Sequence, residues 1–310
     1  GNALAGLGRT VQTNDVVVAL NTAFMADGVV IRVAKDAAIE RPIHIVHVFS
    51  GREAAATFTR SLVVVEPGAK LTLIESHEGA PDVDYQVNTA LELVVGDGAR
   101  VEHVKLGLEG SKALHLSSTM AAVGADAVLR DFAFMTGGAV CRNQLFIRLD
   151  GASTQLVVSG ANLLKGRQHV DTTMLVDHAA GGCQGREKFK SVVDEQSRVV
   201  FQGKIIVRPG AQKTDARMAT HALLLSEEAE ADNKPELEIF ADDVQCGHGA
   251  TAGALDEELL FYLKARGIPA KEAEALLIQS FVGDAIENVA HEGLREALVA
   301  ATAQWLQARS

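Results

Sequence analysis

The chain has 310 residues, of which 47% are apolar and only 5% aromatic. That is enough apolar mass for a sizeable core built from Val, Ile, Leu and Ala, and it excludes wholesale disorder. The net charge of −11, from 40 acidic and 29 basic side chains, is repelled by phosphate backbones and anionic membrane surfaces, so nucleic-acid and membrane-surface binding are disfavoured. No run approaches the length of a membrane-spanning helix. The start, GNALAGLGRT, lacks a basic stretch followed by an apolar one and does not read as a secretory signal. Cys141, Cys183 and Cys246 are sparse, odd in number and without a CxxC. That argues against a disulfide framework and a complete structural zinc site, and fits free thiols in a reducing cytoplasm.

From residue 15 to 250 the chain reads almost entirely as short strands, each bounded by Gly, Asp or Asn. Val16–Leu20, Val29–Val33, Ile43–Val48, Leu62–Val65, Leu71–Ile74, Ala90–Val95 and Val101–Leu108 come first. Leu145–Leu149, Leu156–Val158, Val199–Phe201 and Ile205–Val207 follow. Alternation in LTLIES (71–76) has the period of a strand with one buried face. A Gly-Ala turn followed by an apolar strand recurs at Gly68, Gly98, Gly124 and Gly151, and more weakly at Gly210. Near-constant spacing of one turn marks a solenoid whose rungs stack to bury what no rung can bury alone. We therefore expect a mainly β fold with a parallel β-helix core over 1–254, rather than an antiparallel sandwich.

At Leu255 the texture changes to helical. LDEELLFYLKARG (255–267) has an acidic first turn and stops at a C′ glycine, Gly267, before Ile268-Pro269. A second helix over 270–290 carries Ala273, Leu276, Leu277, Phe281 and Ile286 at helical spacing. A third over 291–309 carries Leu294, Leu298, Ala301, Trp305 and Leu306. This C-terminal α-helical domain, 255–310, is expected either to cap the end rung or to dock a partner.

Familiar catalytic signatures are missing: there is no GxxxxGK[ST], GxSxG or HExxH. His44 and His47 fall on opposite faces of a strand and make no metal pair. His169, Asp171, His178 and Cys183 are near in sequence and read as loop polar residues or a metal site. Asp242-Asp243, Asp82/Asp84 and Glu236/Glu238 are candidate carboxylate pairs for an alternative, a carbohydrate-active β-helix enzyme, but the aromatic platforms a sugar needs are scarce. The densest polar segment is FADDVQCGHGATAG (240–253). Cys246 and His248 would share a face on a strand and are both good iron ligands, though a cluster usually takes four. The other reading is one buried Cys and one hydrogen-bonded His.

FQGKI (201–205), QKTDA (212–216), KPELEI (234–239), DDVQCGHGAT (242–251) and LFYLKARGI (260–268), in this order, resemble the SufB/SufD family of Fe–S cluster assembly scaffolds. The match is dense over the C-terminal 140 or so residues and loose over the β repeats. The resemblance implies a right-handed parallel β-helix and a non-catalytic subunit that pairs with a SufB-like paralogue. It also implies docking of the SufC-type ABC ATPase through the helical tail, with ATP-driven rearrangement pulling on the paralogue interface. Cys246 and His248 would be metal- or cluster-binding residues at that interface, with the partner supplying the remaining thiolates. The cluster would be assembled there transiently, with none expected in the isolated chain, which is expected to self-associate as a homodimer. CGHGATAG places the chain on the SufD-like side, since the position of the SufB-like cysteine falls near Ala229. The family's N-terminal helical region reads as short or absent.

Overall fold

The computed structural model describes residues 6–309. Its strands are β1 (Val30–Val33), β2 (Ile43–Phe49), β3 (Ala55–Val65), β4 (Lys70–Gly79), β5 (Tyr85–Val95), β6 (Arg100–Leu108), β7 (Leu114–Val123) and β8 (Val128–Met135). They continue as β9 (Val140–Leu149), β10 (Gln155–Leu164), β11 (His169–His178), β12 (Gln184–Val193), β13 (Arg198–Val207), β14 (Asp215–Leu224), β15 (Glu230–Ile239) and β16 (Gln245–Gly253). The helices are α1 (Val16–Phe24), α2 (Glu257–Ala265), α3 (Ala270–Ile286) and α4 (Glu292–Arg309).

The odd strands form one eight-stranded sheet, β1-β3-β5-β7-β9-β11-β13-β15, and the even strands another, β2 through β16. Every pairing is parallel, so the chain winds as a β-solenoid of about eight turns. The inner faces of the two sheets meet in one long core of Val, Leu, Ile and Ala. In β11, Val170, Thr172, Met174, Val176 and His178 are buried while the residues between them are half-buried, which is the expected period of two.

The turns from odd to even strands explain the Gly-Ala repeat, with a shift of register. Gly68 and Gly98 take the left-handed conformation, but in the next two turns Asp126 and Ser153 take it instead. Gly124 and Gly151 have another reason to be glycine. A Cβ on Gly151 would lie 1.8 Å from the Ala125 amide nitrogen of the rung below. Beside these turns runs a column of small residues, Ala69, Ala99, Ala127, Thr154, Cys183 and Thr214, each carbonyl accepting the amide that starts the next even strand.

Three expectations are corrected. Val16–Leu20 is the start of α1, not a strand. The Asp15 side chain accepts from the Val17 and Val18 amides, and this N-cap, with packing of Val18 on Ala90, Met120 and Phe146, overrides the β preference of three valines. Val199–Phe201 and Ile205–Val207 are the two ends of one strand, β13. In α3 the buried stripe is Ala273, Ile278, Val282, Ala285 and Ile286, leaving Leu276 exposed.

The C-terminal helices lie along the outer face of the even-strand sheet and leave the end rung uncovered. Ile278, Val282, Ile286, Leu298 and Trp305 pack against Phe132, Phe134, Leu163, Val192 and Leu223. Asp284 pairs with Lys188 at 2.9 Å and Lys190 at 3.0 Å, and Arg309 pairs with Asp194 and Glu274. At the other end of the chain, Glu92 pairs with Arg60 at 2.7 Å, buried on the outer face of the odd-strand sheet, and accepts from Gly8 and Thr10. No described helix is long and apolar enough to cross a membrane.

Candidate functional site

β16 is the last strand of the even sheet and pairs on one side only, with β14. Its register sets Cys246 against Ala216 and His248 against Met218, both core residues. Cys246 and His248 therefore stand in the inward-facing columns of the solenoid, at the rung where no further rung covers them. Cys246 is half-buried against the core and His248 is exposed. Together with Arg217, Met218, Gln245 and Gly247 they line a shallow depression on this end. Burial pushes the Cys246 thiol up, with the Asp215 and Glu187 carboxylates adding to it, so the thiol is protonated at neutral pH. The shared face expected for the pair is what the strand provides.

The other candidates come apart. His44 points outward to Ser76, 2.8 Å away, and His47 faces the opposite way. His169 and Asp171 lie on the outer face of β11 while His178 points into the core, so they cannot hold one ion. Cys183 is a member of the small corner column, buried, its thiol pushed up by burial. Cys141 is also buried, and desolvation drives its thiol far above the ordinary range. Asp242 and Asp243 sit in an exposed turn, with Asp243 paired to Lys213, and Asp82 and Asp84 in another. Glu236 and Glu238 are held by Lys234 and Lys204. None of these three carboxylate pairs is presented across a cleft, as glycoside cleavage needs.

Sequence reading missed a cluster of titratable groups inside the opposite end of the solenoid. His47, Glu75 and His77 bring ligand atoms within 4.8 Å of one another, and so do His77, Glu109 and His115. The His77 ring stacks on His47 at 4.5 Å and lies 4.4 Å from His115. Beside them His103 bridges Glu75 at 2.8 Å and Asp131 at 2.7 Å. Desolvation opposes its charge, but Asp131 and Glu75 overcome it and raise the imidazole to about 9. A signal was available: the core face of β4 reads Leu71, Leu73, Glu75, His77, and that of β6 continues with His103 and Lys105. Core-facing positions that turn polar in successive rungs mark something other than packing.

Comparison with known proteins agrees with the motifs. The family described as SUF system FeS cluster assembly, SufBD core domain, matches residues 47–281. The SufBD protein N-terminal region matches residues 8–45, so that region is represented here, by α1 and the first strand, and is not absent. The chain is 33% identical over 85% of its length to the iron-sulfur cluster assembly protein SufD of Escherichia coli, covering 62% of that protein. It is 32% identical, over 91% of its length, to an iron-sulfur cluster assembly SufBD family protein of Synechocystis, covering 64% of it. To the SufD of Bacillus subtilis it is 29% identical, covering 65% of that protein. The chain thus spans somewhat under two thirds of the length of these relatives. With most of its solenoid inside the family match and its CGHGAT strand at the open rung, the chain belongs to the SufB/SufD family of iron–sulfur cluster assembly proteins and is most like SufD.

Proposed function

We propose that the chain is a non-catalytic scaffold subunit of the SUF iron–sulfur cluster assembly complex, pairing end to end with a SufB-like paralogue and docking a SufC-type ATPase. The observation that carries the reading is the open rung. β15 and β16 each leave one edge unpaired, and the rung that ends the solenoid also carries Cys246 and His248 in its inward columns. Exposed parallel edges invite a partner that continues both sheets. A solenoid of the same cross-section would bury the two residues at the junction, beside its own thiolates. Iron and sulfide are then cargo, held while a cluster is built. An arriving iron ion would lower the Cys246 thiol and convert it into a thiolate ligand, while His248 offers an imidazole.

The ATPase would sit on the tail. α2 buries none of its residues, and Leu259, Phe261 and Tyr262 are exposed. Beside it an apolar groove of about 380 Å³ is lined by Leu255, Leu259, Leu277, Phe281 and the edge of β16. A partner seated there would touch the helices and the terminal strand together, which supports a mechanical link between nucleotide state and the junction. Reconstitution with a SufB-like subunit and a SufC-type ATPase, under anaerobic conditions with iron, sulfide and ATP, tests the whole. His248→Ala and Cys246→Ser should lower cluster yield while the complex still assembles. Full yield from the double variant would sink the reading.

A further inference from the structure

We propose that His77, Glu109 and His115 form a binding site for one divalent transition-metal ion, deep in the N-terminal half of the solenoid. It is separate from the open rung: β4, which carries His77, lies six strands from β16, about 29 Å at the usual spacing of about 4.8 Å. His77 comes from β4, Glu109 from the turn after β6, and His115 from β7, so the three are assembled across both sheets. The three residues are 1%, 5% and 1% exposed. Neither ring nitrogen of His77 and neither carboxylate oxygen of Glu109 has a hydrogen-bond partner. Glu109 Oε1 lies 2.6 Å from His115 Nδ1, yet without hydrogen-bonding alignment. Apart from that one ion-pair contact, the His77 nitrogens and the Glu109 carboxylate converge here with no hydrogen bond to satisfy them, which a folded protein seldom tolerates. One cation among them would satisfy all three groups at once.

The surroundings fit. His115 Nε2 lies 3.4 Å from Thr89 Oγ1, which orients the ring with Nδ1 toward Glu109, as outer partners of ligating histidines do. A cavity of about 150 Å³ lined by His47, Phe49, Thr59, Thr89, His77 and Glu109 gives a path in and room for a water ligand. Two imidazoles with one carboxylate and no thiolate suit Zn²⁺ or Fe²⁺, and suit Mg²⁺, Ca²⁺ or Cu⁺ poorly.

The whole chain, stripped with a chelator, is dialysed anaerobically against Zn²⁺ or against Fe²⁺, and bound metal is counted. About one equivalent of either ion should be retained, with only nitrogen and oxygen scatterers in its X-ray absorption spectrum. His77→Phe, which keeps a ring in the stack, and Glu109→Gln should each weaken binding at least ~10-fold. Circular dichroism checks that each is folded, and a single folded variant suffices. The Cys246→Ser, His248→Ala double variant should bind as the parent does, which separates this site from the open rung. Three results would overturn the proposal: no retained metal in the parent, unchanged binding in the folded variants, or sulfur in the coordination sphere with loss of metal in the double variant.

Discussion

Ile278→Ala tests whether the C-terminal helices are an integral layer of the fold. Ile278 is fully buried in the cluster that joins α3 and α4 to Phe132, Phe134, Leu163 and Val192. Alanine removes three carbons from water-free packing, about 2.4 kcal/mol at about 0.8 per methylene, and leaves a cavity the rigid sheet cannot close. The expected loss is about 2–4 kcal/mol. Urea unfolding supplies two independent readouts. Trp305 is the single tryptophan and lies in this cluster, so its emission follows the tail, while far-UV circular dichroism follows the strands. If the tail shares one cooperative core with the solenoid, both transitions move together to lower urea. A tryptophan transition that shifts alone, with the strands unmoved, would mean a detachable module and refute the shared-core reasoning. A shift below ~0.5 kcal/mol, the range of inert surface changes, would refute it as well.

Glu187 is fully buried without a hydrogen-bond partner, and desolvation raises it to about 8, only partly offset by Arg186, while the His178 imidazole lies beside it at Gly185. Its folded value lies above its unfolded one, so the stability it contributes is present below pH ~4.5 and is lost as pH rises through about 8. Glu187→Gln should therefore stabilise the protein at pH 8, on the order of 4 kcal/mol, and flatten the fall in Tm between pH 5 and 8; an unchanged slope would contradict this. Glu92→Ala leaves Arg60 buried and unpaired and should lose about 3–5 kcal/mol, with faster proteolysis of the arm around Gly8 and Thr10. The isolated chain should sediment as a homodimer through its open rung, and charge reversal at Asp243 should shift it toward monomer; a monomer at tens of micromolar would show that the edge is already blocked.

The solenoid was legible because its turns repeat and its strands alternate, and both are local signals. LTLIES opens with Leu71 and Leu73 on the core face, a local alternation readable without the fold. β15 was not among the strands picked out by pattern, because NKPELEI alternates charge with half-buried residues on a rung that has one neighbour only. Gly124 and Gly151 matched the repeat in letters but not in conformation, since the need they meet is clearance from the rung below, which exists only once rungs stack. Cys246 and His248 were readable from spacing alone, because i and i+2 share a face on any strand. The His77–Glu109–His115 group was not: its members lie 32 and 6 residues apart and meet only through the cross-strand register, with Val87 opposite His115 and Gly107 opposite His77. Leu276 misled for a related reason. Helical spacing identifies a stripe, but the sheet beneath α3 decides which of two adjacent stripes is covered.

The uncovered last rung has a consequence for how the molecule breathes. In a stack where each turn leans only on its neighbours, amide-exchange protection should fall toward an end that lacks one. α1 clamps β5, β7 and β9 on one flank, and α3 and α4 clamp β8 to β14 on the other. β15 and β16 have neither, so their amides should exchange sooner than those of the clamped rungs, and the strand bearing Cys246 and His248 should fray early. A partner that seats there would order the strand as it binds. The exchange rates of Gln245 to Gly253 would then read out complex formation residue by residue, without any label on the metal.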